Sequence, residues 1–393
     1  MKKIVLSSLV ALTIGTVSAT AGEMKFYQDE VGQVFTTPAE GRTEISSKSD
    51  TPIFAKSSKL KFSGKHYVGY TYTQEKKAGV TQPSRSNFDF RRNYLQVKAY
   101  LLEDPKSYFR VTLDALEQSK LNSDDTDGTY MDVYVKYAYL YLNDVLPNTG
   151  VELGLAHRPW IDYESKTTWS MRSIAKSFTD GLGVLTSSDF GVNFQTKTPY
   201  VTSEIGMFNG EGYHAEESGA GNSIDWRLTA AVFGNGDKKR KFTKNDFLDI
   251  SFFGQVNSDS NKNNEVDYTV LGGTIAYNTP SFLASAQYVE SDSDKGGKTK
   301  YNGEGYSLNT TFRMGDKKEY SAFARYDMWE KKNVDTDVVE EEETKAIYGV
   351  AWQQNKNLKW LLSGESVETK DKTGTSNTKD EEQVAMITAE IKW

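Results

Sequence analysis

From Lys59 to the C-terminus apolar and polar residues alternate with a period of two. In the run from Leu60 to Tyr72 the even positions are mostly apolar (Leu60, Phe62, Val68, Tyr70) and the odd ones polar. Leu95, Val97, Ala99 and Leu101 repeat the pattern, as do Phe109, Val111 and Leu113, then Phe190, Val192 and Phe194, then Trp226, Leu228, Ala230 and Val232. Successive strand residues point to opposite faces, so this period gives each segment one apolar and one polar face. The pattern predicts about sixteen strands, over 59–73, 87–102, 107–117, 130–143, 150–159, 187–196, 200–210, 223–234, 246–256, 266–277, 281–290, 303–314, 319–330, 343–354, 357–368 and 382–393. Between 130 and 143 two phases compete for the apolar face, Val133, Val135 and Tyr137 against Ala138, Leu140 and Leu142, which suits a β-bulge.

The connections alternate between short, as at 103–106, 197–199, 278–280, 315–318 and 355–356, and long, near 74–86, 118–129, 160–186, 211–222, 257–265, 291–302, 331–342 and 369–381. A soluble sandwich has no reason to sort its loops this way. A transmembrane antiparallel barrel has short turns at one end, long loops at the other and an even strand number. In lipid every backbone polar group must be paired, so strands span only as a closed barrel. A charge on the lipid face at mid-bilayer costs about 2–4 kcal/mol. Arg110, Asp114, Glu152, Arg227 and Arg325 are therefore expected to point inward. A lumen holding that many charges is wet, which is the physical step from pattern to channel.

Composition narrows the alternatives. The 393 residues include no cysteine, which removes disulfide scaffolds, thiol enzymes and cysteine-held metals. The formal charge of -7 disfavours nucleic acid as a partner, since phosphate binding needs a basic surface. The only long apolar run is at the start. Lys2 and Lys3 precede the apolar stretch Ile4–Val17, and Ala19-Thr20-Ala21 offers a cleavage site, so residues 1–21 read as a secretory signal. Residues 22–58 read as a periplasmic extension, with a small hairpin around Asp29–Gly32 and a linker over 38–52. Residues 59–393 form the barrel, placed in a bacterial outer membrane in contact with its lipid.

The last strand carries Ala385, Ile387, Ala389, Ile391 and the terminal Trp393 on one phase, a pattern expected to engage the barrel-insertion machinery. Tyr70, Tyr72, Trp226, Tyr288, Trp352 and Trp360 lie on the apolar phase near predicted strand ends, as an aromatic girdle would.

Several segments resemble the phosphate-selective porin O and P family. They are Phe90-Arg91-Arg92 leading into Leu95–Lys98, Lys136–Leu140, Leu153–Pro159, Met171-Arg172-Ser173, Met207–Gly212 and Ala324–Asp327. Their order covers the chain from about residue 59 to the end. The resemblance implies a sixteen-stranded outer-membrane barrel, a homotrimer, a third long loop folded into the pore, and passive diffusion of small hydrophilic solutes or ions. The third long connection here, 160–186, is the longest. Its apolar residues Ile161, Trp169, Met171, Ile174 and Phe178 need somewhere to pack, and the inside of the wall is the available place.

The candidate pore-lining cations are Arg92, Lys98, Arg110, Arg158, Arg227 and Arg325 on the inward phase, with Lys166, Arg172 and Lys176 on the loop. Such cations attract anions, and Arg grips phosphate through two parallel hydrogen bonds. The competing reading is structural pairing with Asp114, Glu152, Asp189, Glu204, Asp225 or Asp327; Asp225 and Arg227, two apart on one face, look like one such pair. Acidic runs at Asp124–Asp127 and Glu340–Glu343, read as outer loops, would repel anions at low salt, so a general porin stands beside an anion- or phosphate-preferring one. A structural or adhesive barrel with a plugged lumen is the alternative. His66, His157 and His214 have no serine or aspartate partner legible in the sequence, so no catalytic group, metal or cofactor is expected.

Overall fold

A computed structural model describes residues 26–29, 34–35, 37–45, 59–117, 131–214, 221–258, 267–293, 302–374 and 378–393. The expected signal, the Asp124–Asp127 run and much of the 22–58 stretch lie outside the described residues. The chain divides into two compact units, Met1–Ser57 and Ser58–Trp393.

The first unit holds a three-stranded antiparallel sheet of β1 (Phe26–Asp29), β2 (Val34–Phe35) and β3 (Arg42–Ile45), with β1 central. The expected hairpin is β1 and β2. β3 corrects the linker reading: Thr43 and Glu44 pair with Gln28 and Tyr27, and the Arg42 guanidinium stacks 3.4 Å from the Phe35 ring centre. A four-residue strand completed by neighbours across the sheet leaves too short a periodic run to read from sequence.

The second unit is a closed antiparallel barrel. Its long strands are β4 (Leu60–Lys77), β6 (Arg85–Ala99), β7 (Tyr108–Glu117), β8 (Met131–Leu146), β9 (Thr149–His157), β10 (Ser188–Lys197), β11 (Val201–Phe208) and β12 (Asn222–Phe233). They continue as β13 (Phe247–Ser258), β14 (Tyr268–Thr279), β15 (Phe282–Ser293), β16 (Gly303–Met314), β17 (Tyr320–Lys332), β18 (Val339–Gln353), β19 (Leu358–Asp371) and β20 (Lys379–Lys392). These are the sixteen strands that the period-two pattern predicts. Each pairs with its chain neighbour, and β20 closes on β4 with Lys392 opposite Lys65 and Glu382 opposite Glu75.

One strand phase carries the apolar side chains exposed: Ile205, Leu228, Phe252, Leu308, Tyr348 and Leu362 all belong to it. So broad an exposed apolar belt exceeds what a soluble monomer tolerates. The opposite, inner phase holds buried polar residues such as Asp225, Arg227, Thr229, Ser251, Gln287 and Asn309. Of the charges expected inward, Asp114, Glu152, Arg227 and Arg325 are buried and Arg110 half-buried. Trp352 and Trp360 are direct cross-strand partners on the outer face near the short-connection end; Tyr70 lies further in, against Phe88 with ring centres 4.9 Å apart.

The loop alternation needs three corrections. The first long connection is largely strand: β4 runs to Lys77, turns at Ala78-Gly79, both with positive φ, and returns through the short β5 (Val80–Thr81), which prolongs the β4–β6 hairpin. Two positive-φ residues in succession match the right-handed strand twist. Glu340–Glu343 lies inside β18 rather than in a loop, because Glu341, Glu342 and Glu343 pair with Asp371, Lys370 and Thr369. Polar strand continuations carry no apolar alternation, so they resemble loops in sequence. Conversely, residues 234–246, at the short-connection end, span thirteen residues between β12 and β13.

Candidate functional site

The site is the inner wall of β4 and β6–β12 together with the segment 158–187 between β9 and β10. Two bulges shape the wall. Tyr67 pairs with Arg92 and Val68 with Phe90, leaving Arg91 unopposed; Thr112 pairs with Tyr137 and Leu113 with Val135, leaving Lys136 unopposed. The second is the bulge expected between 130 and 143. A bulge re-aims side chains by adding one residue to one strand. Here each adds a cation to the inner face: Arg91 contacts Met386 Sδ, and the buried Lys136 donates to Ser187 Oγ (2.8 Å) and Tyr213 OH (3.1 Å).

Register sets the remaining cations. Lys61 lies directly opposite Lys98, and Lys98 directly opposite Arg110, making a row of three like charges across β4, β6 and β7. Like charges directly opposed are destabilising. Among the described residues none of the three has a carboxylate within ion-pair range. Tyrosine rings take that place: Lys61 is 4.7 Å from Tyr100, Lys98 3.8 Å from Tyr108, and Arg110 4.3 Å from Tyr137. Arg110 also donates to Thr112 Oγ1 and Tyr139 OH and meets His157 Nε2 at 3.1 Å. His157 in turn places Nδ1 3.0 Å from Glu152. Ring quadrupoles stabilise a cation without neutralising it, so the row keeps its field.

The other cations named from sequence divide sharply. Arg92 binds Asp114 at 2.7 Å. Arg158 forms a two-pronged bond to Asp225 (2.6 and 2.9 Å) and donates to Ser223 and Thr186. Arg227 binds Glu204, its direct partner on β11, at 2.8 Å, with Thr202 and Thr229 alongside. The expected Asp225–Arg227 pair is therefore replaced by two others: Arg158 reaches Asp225 from outside the strand, and Arg227 turns to the carboxylate opposite. Arg325 does bind Asp327 two residues on, at 2.8 Å through Nε, and donates to the Lys176 carbonyl. Lys166 pairs with Asp162, and Arg172 and Lys176 both face Asp180, at 2.6 and 3.7 Å.

The segment itself contains α1 (Ile161–Thr167) and α2 (Phe178–Leu182). Trp160 stacks on Phe253 of β13 with ring centres 3.7 Å apart and an 8° interplanar angle. Ile161, Phe178, Val184 and Leu185 join the same cluster with Tyr268, Val270, Val289 and Trp329. A second cluster packs Trp169, Met171 and Ile174 against Phe323, Ile347, Leu361 and Met386. Glu164 is buried and accepts from Thr179 Oγ1 at 2.7 Å; burial pushes its carboxyl above the usual range. Burial would push Asp180 the same way, but Arg172 and Lys176 hold it below.

Sequence reasoning missed Lys61, Lys65, Arg91 and Lys136. Lys61 and Lys65 share the odd, polar phase of β4 and could have been counted. Arg91 and Lys136 could not be placed without the bulges. The tyrosines under the cations carried no signal, since tyrosine is a common strand residue.

No family model matches this chain, and no curated protein does. Solved structures do match in fold. An anion-selective porin from Comamonas acidovorans aligns over 84% of this chain and 99% of its own, with a TM-score of 0.58 and 13% identity. OprB from Pseudomonas putida aligns over 86% and 94%, with a TM-score of 0.60 and 9% identity. OmpT, an outer membrane protein of Vibrio cholerae solved in a trimer form, aligns over 85% and 99%, with a TM-score of 0.55 and 13% identity. The chain thus has the sixteen-stranded fold of outer-membrane porins.

Proposed function

We propose that the protein is an outer-membrane porin giving passive diffusion of small hydrophilic solutes or ions, with a preference for anions. The observation that carries this reading is the row Lys61, Lys98 and Arg110: three aligned cations without carboxylate partners among the described residues, on the inner wall of a barrel whose outer face is apolar. Tyrosine rings stabilise these cations without neutralising them, so their field is left to attract an anion. An open passage is supported by Lys166, whose side chain is 71% exposed.

The segment 158–187 folds into the lumen and narrows it in this reading. The support is steric: its residues touch inner-phase side chains of β12, β13, β14, β15, β17, β18, β19 and β20, strands that no surface loop could reach together. Arg92, Lys98, Arg110, Arg158, Lys166, Arg172, Lys176, Arg227 and Arg325 line the passage, with Lys98 and Arg110 acting on solutes and the paired arginines holding the wall and segment in place. A cleaved signal over 1–21, a periplasmic place for 22–58, insertion through the Trp393 strand, a homotrimer like the OmpT form, and membership of the phosphate-selective O and P family belong to the same proposal.

The test is single-channel conductance in a planar bilayer followed by reversal potential across a KCl gradient. Open steps with anion preference, shifted toward cations by Lys98→Gln with Arg110→Gln, support the reading. Folded barrel without steps sinks it in favour of a plugged one, and an unshifted potential removes the cation row from selectivity.

A further inference from the structure

The two ends of the barrel carry opposite charge. At the short-connection end stands the row Lys61, Lys98 and Arg110, near the ends of β4, β6 and β7. The same end carries the connection 234–246, which holds Lys238, Lys239, Arg240, Lys241 and Lys244 against Asp237 and Asp246. This connection is built into the rim. Arg240 pairs with the inner-phase Asp249, and the carbonyls of Phe242 and Asn245 accept from Asn278 Nδ2 at 3.0 and 2.6 Å. The Phe242 ring lies under the Arg313 guanidinium at 5.3 Å. The four lysines are left exposed, and among the described residues none has a carboxylate within ion-pair range.

The long-connection end is acidic. Residues 333–345 carry six carboxylates against Lys345, and residues 365–382 six against three lysines. Glu382 on β20 lies directly opposite Glu75 on β4, a like-charge pair facing inward. Glu343 and Glu365 stand on the same face, sharing Lys345 at 3.9 and 3.8 Å. Arg85 and Lys77 meet Glu75 but no second carboxylate of this group.

We infer that the channel rectifies: it passes more current at one polarity than at the other because its mouths select ions of opposite sign. The inference rests on the diffusion-channel reading. A mouth lined by one sign of charge concentrates the opposite ion. A voltage that drives cations in through the acidic mouth drives anions in through the basic one, and both accumulate in the lumen. The reverse voltage empties it of both. The asymmetry needs charges unscreened over the barrel length, so it is set by salt. The Debye length is about 30 Å at about 0.01 M and about 3 Å at about 1 M.

The experiment is the current–voltage curve of single channels of the full protein in a planar bilayer, at about 0.01 M and about 1 M KCl. The expected ratio of currents at opposite polarities is about twofold at low salt and near unity at high salt. The variant with Lys238→Gln, Lys239→Gln, Lys241→Gln and Lys244→Gln reduces that ratio by half or more, and Glu343→Gln with Glu382→Gln reduces it from the other mouth. Open channels with symmetric low-salt currents, or an asymmetry that both variants leave untouched, overturn the inference while the channel reading stands. Absence of steps overturns both.

Discussion

Truncation of Trp160 to alanine isolates the docking of the 158–187 segment from the stability of the barrel. The indole is 3% exposed and stacked on Phe253. Burying about 200 Å² of ring surface at about 25 cal/mol per Å² stabilises by about 5 kcal/mol, an upper figure because the free segment hides part of it. A stacked aromatic pair adds about 1 kcal/mol. Large core truncations cost about 3–5 kcal/mol in practice. At about 3 kcal/mol the ratio of docked to undocked segment falls by about 150-fold, since 1.4 kcal/mol is tenfold. The wall has its own backbone ladder, and what it loses is the stacking on Phe253. The expected outcome is a noisier and larger single-channel conductance and faster tryptic cleavage at Lys166, Arg172 or Lys176, with heat-modifiable gel mobility unchanged. Trp360→Ala, which removes an outward indole 41% exposed, serves as the control and leaves conductance unchanged. Conductance and cleavage identical to wild type in Trp160→Ala would refute the view that this ring holds a pore-narrowing segment.

Arg158→Met leaves Asp225 buried without its guanidinium; breaking a buried pair costs about 3–5 kcal/mol, to be read as a lower urea midpoint and lower refolding yield. The raised carboxyl of Glu164 gives docking a pH dependence: docking favours the protonated form, so its stability is greatest below the ordinary carboxylate range and falls as pH rises through the raised value. Glu164→Gln should flatten the pH profile of tryptic cleavage, and an unaltered profile would assign the effect elsewhere. At the closing seam, a Cβ on Gly64 would overlap the Trp393 ring, whose Nε1 donates to His66 Nε2 at 2.8 Å. Gly64→Val should therefore lower the yield of closed barrel, measured by heat-modifiable mobility; wild-type yield would show that this contact is dispensable.

The barrel was legible because its signal is local. A strand with one face on apolar surroundings and one on polar must alternate, so Leu95–Leu101 or Trp226–Val232 announces itself without any partner. Competing phases over 130–143 likewise announced the bulge, although not that Lys136 would be the residue turned in. Strand ends were less legible. Where β18 and β4 continue as Glu340–Glu343 and Gln74–Lys77, both faces are polar and nothing local separates strand from loop.

The sequence by itself determined which residues share a face along each regular strand, and with that the number of strands and the inward charges away from the bulges. Only the tertiary structure decided what each charge meets. Arg227 faces Glu204 because of the β11–β12 register, and Asp225 is taken by Arg158 from a segment 67 residues away. Lys61, Lys98 and Arg110 align because the β4–β6 and β6–β7 registers set them at one level. The physical reason is the range of the forces. Alternation follows from the geometry of neighbouring residues, whereas ion pairing depends on distances of a few ångströms that chain closure alone sets.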